Sequence, residues 1–285
     1  MPRGLSLHIG LNELDPNHYA GWRGKLNACE ADARDMQDIA QACGYEHHIL
    51  LTPQATRAAL TSFLANAAAS LRAGDILLLT YSGHGGQLPD LNGDEPDDVD
   101  ETWCMYDGQI SDDELYSHYG RFAPGVRVLV LSDSCHSGSV TKQVVNWALL
   151  SLPVMASIEF RPLTEGSITP KYLPPEVALH TYNSNRKFYD ELLRSAQAEK
   201  AADGTVKACV RLISGCQDNQ YSLDGTFNSA FTARLLRVWN DGRFSGNYHD
   251  FHVAILADMP PTQSPKHFVI GPSMPDYDRQ KPFTI

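Results

Sequence analysis

The stretch Asp75-Ile76-Leu77-Leu78-Leu79-Thr80, running straight into Tyr81-Ser82-Gly83-His84-Gly85-Gly86, decides how this chain folds. Four consecutive aliphatic residues with no polar alternation predict a strand covered on both faces, the kind found in parallel sheets under helices. The pattern recurs: Val126 to Leu131 is a second apolar run, followed by Ser132-Asp133-Ser134-Cys135-His136-Ser137-Gly138. If the two strands lie parallel, both polar segments leave from one carboxyl-terminal edge, where open α/β sheets keep their chemistry. His84 and Cys135, 51 residues apart, would then meet.

Working outward, strand-like and helix-like patterns alternate. Leu5 to Leu11 predicts a first strand, Asn27 to Cys43 a helix stopped by Gly44, and Ile49 to Leu51 a short strand. Thr56 to Leu71 predicts an Ala/Leu-rich helix before the strand at Asp75, and Asp112 to Tyr119 a helix before the strand at Val126. This order predicts an α/β fold, a mainly parallel sheet with helices on both faces. From Thr141 to about Thr205 the rhythm breaks, with five prolines and one good helix near Asn185 to Ala201. It resumes with a strand at Val206 to Ser214, helices at Ser229 to Trp239 and His249 to Met259, and a last strand at His267 to Ile270. The reading is one domain over 1–285 carrying an insertion at about 141–205.

A chain of 285 residues can bury a full core. The formal net charge of −11 argues against nucleic acid, whose phosphates need a basic face, and favours cationic partners. No apolar run approaches the ~20 residues of a membrane span, and Met1 to Gly10 reads as a strand rather than a signal peptide, so the expectation is a cytoplasmic protein. The six cysteines show no Cys-x-x-Cys pairing, which points to reduced thiols and away from structural zinc.

A thiol attacks as thiolate, and a nearby imidazole both lowers its pKa and protonates the leaving amine. Glycines beside His84 allow close backbone approach, and the N–H groups of Gly85 and Cys135 are candidate oxyanion donors. Each residue alone has a plainer reading: Cys135 as a small core residue, His84 as a turn residue. His136 is a competing base, but neighbours on a strand end point to different sides, which favours His84.

The pair Tyr-Ser-Gly-His-Gly and Asp-Ser-Cys-His-Ser-Gly resembles the caspase-like cysteine peptidases (peptidase C14 type), and within them the metacaspases. Further similar stretches are Ile9-Gly10-Leu11-Asn12, Leu26-Asn27-Ala28-Cys29-Glu30-Ala31-Asp32-Ala33, Asp112-Asp113-Glu114-Leu115 and Leu212-Ile213-Ser214-Gly215-Cys216. The resemblance implies a three-layer α-β-α sandwich with a mainly parallel six-stranded sheet. It also implies a Cys135/His84 dyad with no required third member, and no organic cofactor. The implied activity is cleavage of peptides or proteins after Arg or Lys by a protein that is a monomer. The primary specificity pocket then falls on Cys29, Asp32, Ser82 and Asp133, where carboxylates would pair with a cation and reject an acidic side chain. Asp32 as a helix-surface carboxylate and Asp133 as a turn cap are the plainer alternatives.

Asp90 to Glu101 is dense in carboxylates, a candidate hard-cation site, but an EF-hand register fails where Glu95 replaces the required glycine. The resemblance implies calcium held by Asp100, Asp112 and Asp113. Lys142 stands at the fourth family ligand position. A solvated acidic loop, with Asp112 capping a helix, is the alternative. Basic residues Lys142, Arg161, Lys171, Arg186 and Lys187 in the insertion make self-cleavage there a hypothesis. The rivals to a peptidase are a catalytically weak or inactive module of the same fold that only binds, and a hydrolase of non-peptide amides.

Overall fold

A computed structural model describes residues 1–89, 99–134, 169–203, 205–215, 224–225, 227–260 and 263–285. In chain order the strands are β1 (Gly4–Gly10), β2 (Glu46–Leu51), β3 (Ile76–Ser82), β4 (Gly85–Pro89), β5 (Val99–Met105), β6 (Gly108–Ser111), β7 (Arg127–Asp133), β8 (Cys209–Ser214) and β9 (Lys266–Ile270). The helices are α1 (Cys29–Ala42), α2 (Arg57–Ser70), α3 (Asp112–Gly120), α4 (Pro175–Ser184), α5 (Arg186–Asp203), α6 (Ala230–Trp239), α7 (Tyr248–Asp258) and α8 (Pro275–Arg279). None of the described helices is long and apolar enough to cross a membrane.

Six strands form one sheet in the order β2-β1-β3-β7-β8-β9, every neighbouring pair parallel except β8 and β9. The central strands β3 and β7 are buried at every position, as an unalternating apolar run requires. Their side chains divide by the strand period of two. Leu77 and Leu79 pack with Val128 and Val130 and with α2 residues Leu60 and Leu64 on one face. Ile76 and Leu78 pack with Leu129 and Leu131, with Met36 of α1, and with Leu235 and Phe251 of α6 and α7 on the other. This is the α/β arrangement with helices on both faces that the alternating pattern predicts.

Local chemistry sets the helix ends. The Thr56 side chain accepts from the Ala59 N–H to start α2. A capping box between Ser111 and Glu114 starts α3, so Ser111, not Asp112, is the cap. The sequence also misses a second, antiparallel sheet, β4-β5-β6. Asp100 and Glu101 read as part of an acidic loop, yet they lie in its strands, as do Gly85 and Gly86. Cross-strand pairing thus overrides weak propensity. After residue 169, α5 matches the expected helix, while α4 begins at Pro175, where a proline is tolerated because a first-turn N–H has no helical partner. β8 starts at Cys209 rather than Val206.

The contact of α1 with β1 depends on Gly10. A Cβ at that position would sit 2.3 Å from the carbonyl oxygen of Cys29 and 2.9 Å from the Ala33 Cβ. Gly10→Ala should therefore lift α1 and cost about 1–3 kcal/mol, the usual price of overpacking. A urea titration checks it against Gly120→Ala, where nothing lies within 4 Å of the added methyl. Equal midpoints for the two variants would contradict this account of the packing.

Candidate active site

The register of the sheet builds the site. Ser82 of β3 is paired directly with Asp133 of β7, and Gly10 of β1 with Ser82, so three strand ends stand side by side. The chain leaves β3 through Gly83, where a Cβ would meet the Tyr81 hydroxyl at 2.6 Å. That hydroxyl donates to the His84 carbonyl at 2.7 Å, and the Tyr81 ring stacks on Trp103 with centroids 4.5 Å apart. His84 is thereby fixed by its own backbone.

The His84 ring is buried beside Trp22, centroids 4.8 Å apart. Its Nε2 lies 2.7 Å from the carbonyl oxygen of Gly24, an acceptor, so Nε2 carries the proton. Nδ1 then bears the lone pair, and among the described residues it makes no close hydrogen bond. Burial pushes the imidazole pKa down to about 4, against the opposing pull of the Gly24 carbonyl. The ring is neutral at pH 7, the form that can accept a proton. Gly24 therefore supplies the orienting group for which no side chain was evident in the sequence. A backbone carbonyl has no residue-type signature. Cys135 and His136 lie outside the described residues, which reach Ser134 on this edge.

The expected pocket residues are brought together. Asp32 and Cys29 in the first turn of α1, Ser82 and Asp133 are all buried. Ser82 Oγ donates to Asp32 Oδ2 at 2.7 Å. Asp32 Oδ1 also accepts from the Ser229 N–H at 3.0 Å and from Asn228 Nδ2 at 3.1 Å. Asp133 Oδ2 accepts from the Thr232 hydroxyl at 2.8 Å. Burial pushes the Cys29 thiol up to about 12, so it lines the pocket as a neutral group. Asn228, Ser229 and Thr232 were missed in the sequence. The usable signal was topological: β8 is parallel to β7, so the chain after it returns to the same edge.

The pocket is filled by the chain's own Lys171, which has no exposed surface. Its Nζ donates to Ser82 Oγ at 2.8 Å and to Ser229 Oγ, and stands 3.4 Å from carboxylate oxygens of both Asp32 and Asp133. Burial alone would lower the ammonium's pKa, but the carboxylates of Asp133 and Asp32 outweigh it and the net shift is upward. The main chain is held too. The Gly85 N–H donates to the Lys171 carbonyl at 3.0 Å, and the Leu173 N–H donates to the Gly85 carbonyl at 2.7 Å. The Lys171–Tyr172 peptide bond is thus bracketed by one glycine, with its carbonyl on a candidate oxyanion donor. Arg186 and Lys187, by contrast, face solvent on α5. Lys142 and Arg161 lie outside the described residues.

The implied calcium donors are spread over two elements, Asp100 on β5 and Asp112 and Asp113 at the start of α3. Asp112, Asp113 and Glu101 line a cavity of about 220 Å³, with the ammonium-bearing Lys266 in its wall. Among the described residues no group of three or more Asp, Glu, His or Cys is placed to hold a metal ion. Lys142 and residues 90–98 lie outside the described residues.

With this geometry in hand, comparisons identify the family. The family model for the caspase domain matches residues 14–282. Metacaspase-1 of Coccidioides immitis is 31% identical over 262 residues, 81% of this chain and 52% of the relative. Metacaspase-1B of Neurospora crassa is 30% identical over 265 residues, 82% of this chain and 57% of the relative. The chain thus spans little more than half the length of these relatives. The crystal structure of protein GSU0716 from Geobacter sulfurreducens superposes with a TM-score of 0.85 at 49% identity, covering 99% of both chains. Caspase-1 from Spodoptera frugiperda, at 10% identity and a TM-score of 0.55 over 94% of this chain and 86% of that one, shares the fold alone. This chain belongs to the caspase-domain family of cysteine peptidases, as a metacaspase-type member.

Proposed function

We propose that the chain is a cysteine endopeptidase that cleaves after lysine or arginine through a Cys135/His84 dyad, and that its own Lys171–Tyr172 bond is its first substrate. One observation carries this reading: a lysine seated in the carboxylate pocket while its carbonyl rests on the Gly85 N–H. Two carboxylates and two hydroxyls suit either basic side chain and would leave an aspartate uncompensated.

In the proposed step the Cys135 sulfur adds to the Lys171 carbonyl carbon, and the negative charge on its oxygen is taken by the Gly85 N–H. Collapse breaks the carbon–nitrogen bond, and the imidazole gives the thiol's proton to the Tyr172 nitrogen. Water then attacks the thioester, releasing the Lys171 carboxylate and restoring the thiol. Until that cut the chain is latent, because its own lysine denies the pocket to other substrates. The same occupancy also favours a second reading, a permanently self-blocked module that never cuts.

Mass spectrometry of incubated protein separates the two. Fragments ending at Lys171 and starting at Tyr172 are expected, from the native chain and from Lys171→Arg with arginine at the new end. Cys135→Ala and Lys171→Gln should stay intact. An intact native chain, with calcium as well as with chelator, would favour the blocked module. Arg-, Lys- and Asp-ended fluorogenic peptides then test selectivity on processed protein, and cleavage of the Asp peptide would overturn it.

The buried ammonium also makes a stability prediction. Its pKa is raised on folding, so its contribution is intact below ~10.5, the unfolded value, and is lost only as pH climbs through the raised one. At pH 8, Lys171→Met in the Cys135→Ala background should therefore cost about 3–5 kcal/mol, because two buried carboxylates lose their counter-ion. Urea unfolding reads the difference, and no loss would mean that the lysine does not hold the pocket together.

A further inference from the structure

Asp224 touches both the substrate-like segment and the helix that carries the pocket. Its backbone N–H donates to the Thr169 carbonyl at 2.9 Å, two residues before Lys171. Its carboxylate accepts from the backbone N–H groups of Asn27 at 2.7 Å and Ala28 at 3.1 Å. Those amides lead into α1, whose N-cap position, Ala28, offers no side chain to its own helix. The next residues of α1 include Cys29 and Asp32. Asp224 is itself buried, so its charge is held by these amides and not by water. Its field also reaches the Lys171 ammonium.

Resting on the proposed peptidase reading, we propose that Asp224 is a substrate-positioning residue. Its main chain takes the carbonyl two residues ahead of the cleaved lysine, and its side chain ties that contact to the start of the pocket helix. A bound segment is then held at Gly85 by the lysine carbonyl, in the pocket by the ammonium, and at residue 224 upstream. The upstream contact is to main chain, so it does not select a side chain there. It rewards length. The carboxylate is what aims it, because it pins residue 224 against α1.

The test compares a capped single-lysine reporter with the tripeptide reporter Thr-Pro-Lys, the order found at 169–171. Both are assayed on full-length protein in the Lys171→Ala background, with Asp224 native or changed to Ala, Asn or Glu. With Asp224 native, the tripeptide should be cut with about tenfold higher kcat/KM, mostly through KM, one hydrogen bond to substrate being worth about that factor. In Asp224→Ala the gain should shrink to about twofold, and Asp224→Asn, which keeps an acceptor oxygen, should fall between. A full gain in Asp224→Ala, or equal losses on both reporters, would overturn the proposal and leave a structural role only. If native protein processed at Lys171 cuts neither reporter, the peptidase reading is what fails. Hydrogen exchange in the Cys135→Ala chain then still decides: Asp224→Ala should speed exchange at Asn27, Ala28 and 169–173 together by at least about fivefold. Faster exchange at Asn27 and Ala28 alone would show that the two contacts are not coupled.

Discussion

An ammonium group with no exposed surface is the constraint on which this site depends. A charge taken out of water costs several kcal/mol unless it is paired and its protons are bonded. Lys171 meets both conditions by division of labour. Asp32 and Asp133 stand 3.4 Å away and supply the charge, while the hydroxyls of Ser82 and Ser229 receive the closer hydrogen bonds and set direction. The carboxylates are themselves fixed by Asn228, Thr232 and the Ser229 N–H. The carboxylates are thus held by their own partners as well as by the ammonium.

The fold exists around that pocket in a definite sense. Parallel pairing without a register slip puts Ser82 opposite Asp133, and a slip of one residue would send the slipped strand's side chain to the other face. Gly10 lets α1 approach β1 until Asp32 reaches the same edge. The small antiparallel sheet then carries Gly85 and Trp103 across the mouth, so that one glycine can hold the main chain on both sides of Lys171. Sequence-distant segments, from Gly24 to Thr232, meet because all of them leave or cap the carboxyl end of one sheet.

Much of this was legible in the sequence, for physical reasons. Two unalternating apolar runs could only be covered strands, and the glycine-rich turns after them located His84, Ser82 and Asp133 at one edge. The family resemblance, not periodicity, assigned Cys29 and Asp32 to the pocket. What was hidden depends on partners rather than on residue type. Gly24 acts through a carbonyl, which no side-chain class marks, and the Asp224 carboxylate acts on amides 196 and 197 residues away in sequence. The strands at Gly85 and Val99 have poor intrinsic propensity and exist by pairing with each other. Lys171 looked like one basic residue among several in a proline-rich insertion; only its burial against two carboxylates distinguishes it from the solvated Lys187.

The same contacts explain how a self-blocked chain could open. Before cleavage Lys171 is tethered on both sides, and a short tether gives an effective concentration of roughly millimolar or more, which a free substrate must outcompete. Cutting at 171–172 removes the downstream tether, because the Leu173 N–H bond to Gly85 stays with the other fragment. It also creates a carboxylate where a neutral carbonyl had been, close to a pocket already lined by Asp32 and Asp133. Like charges at short range in a poorly solvated cleft repel strongly. Cleavage thus weakens the plug twice, by entropy and by charge, while the ammonium pairing that recruited it is unchanged. A pocket built to hold a cation this tightly needs such a change in its occupant if it is to turn over, and the proposed hydrolysis of the bracketed bond would supply it.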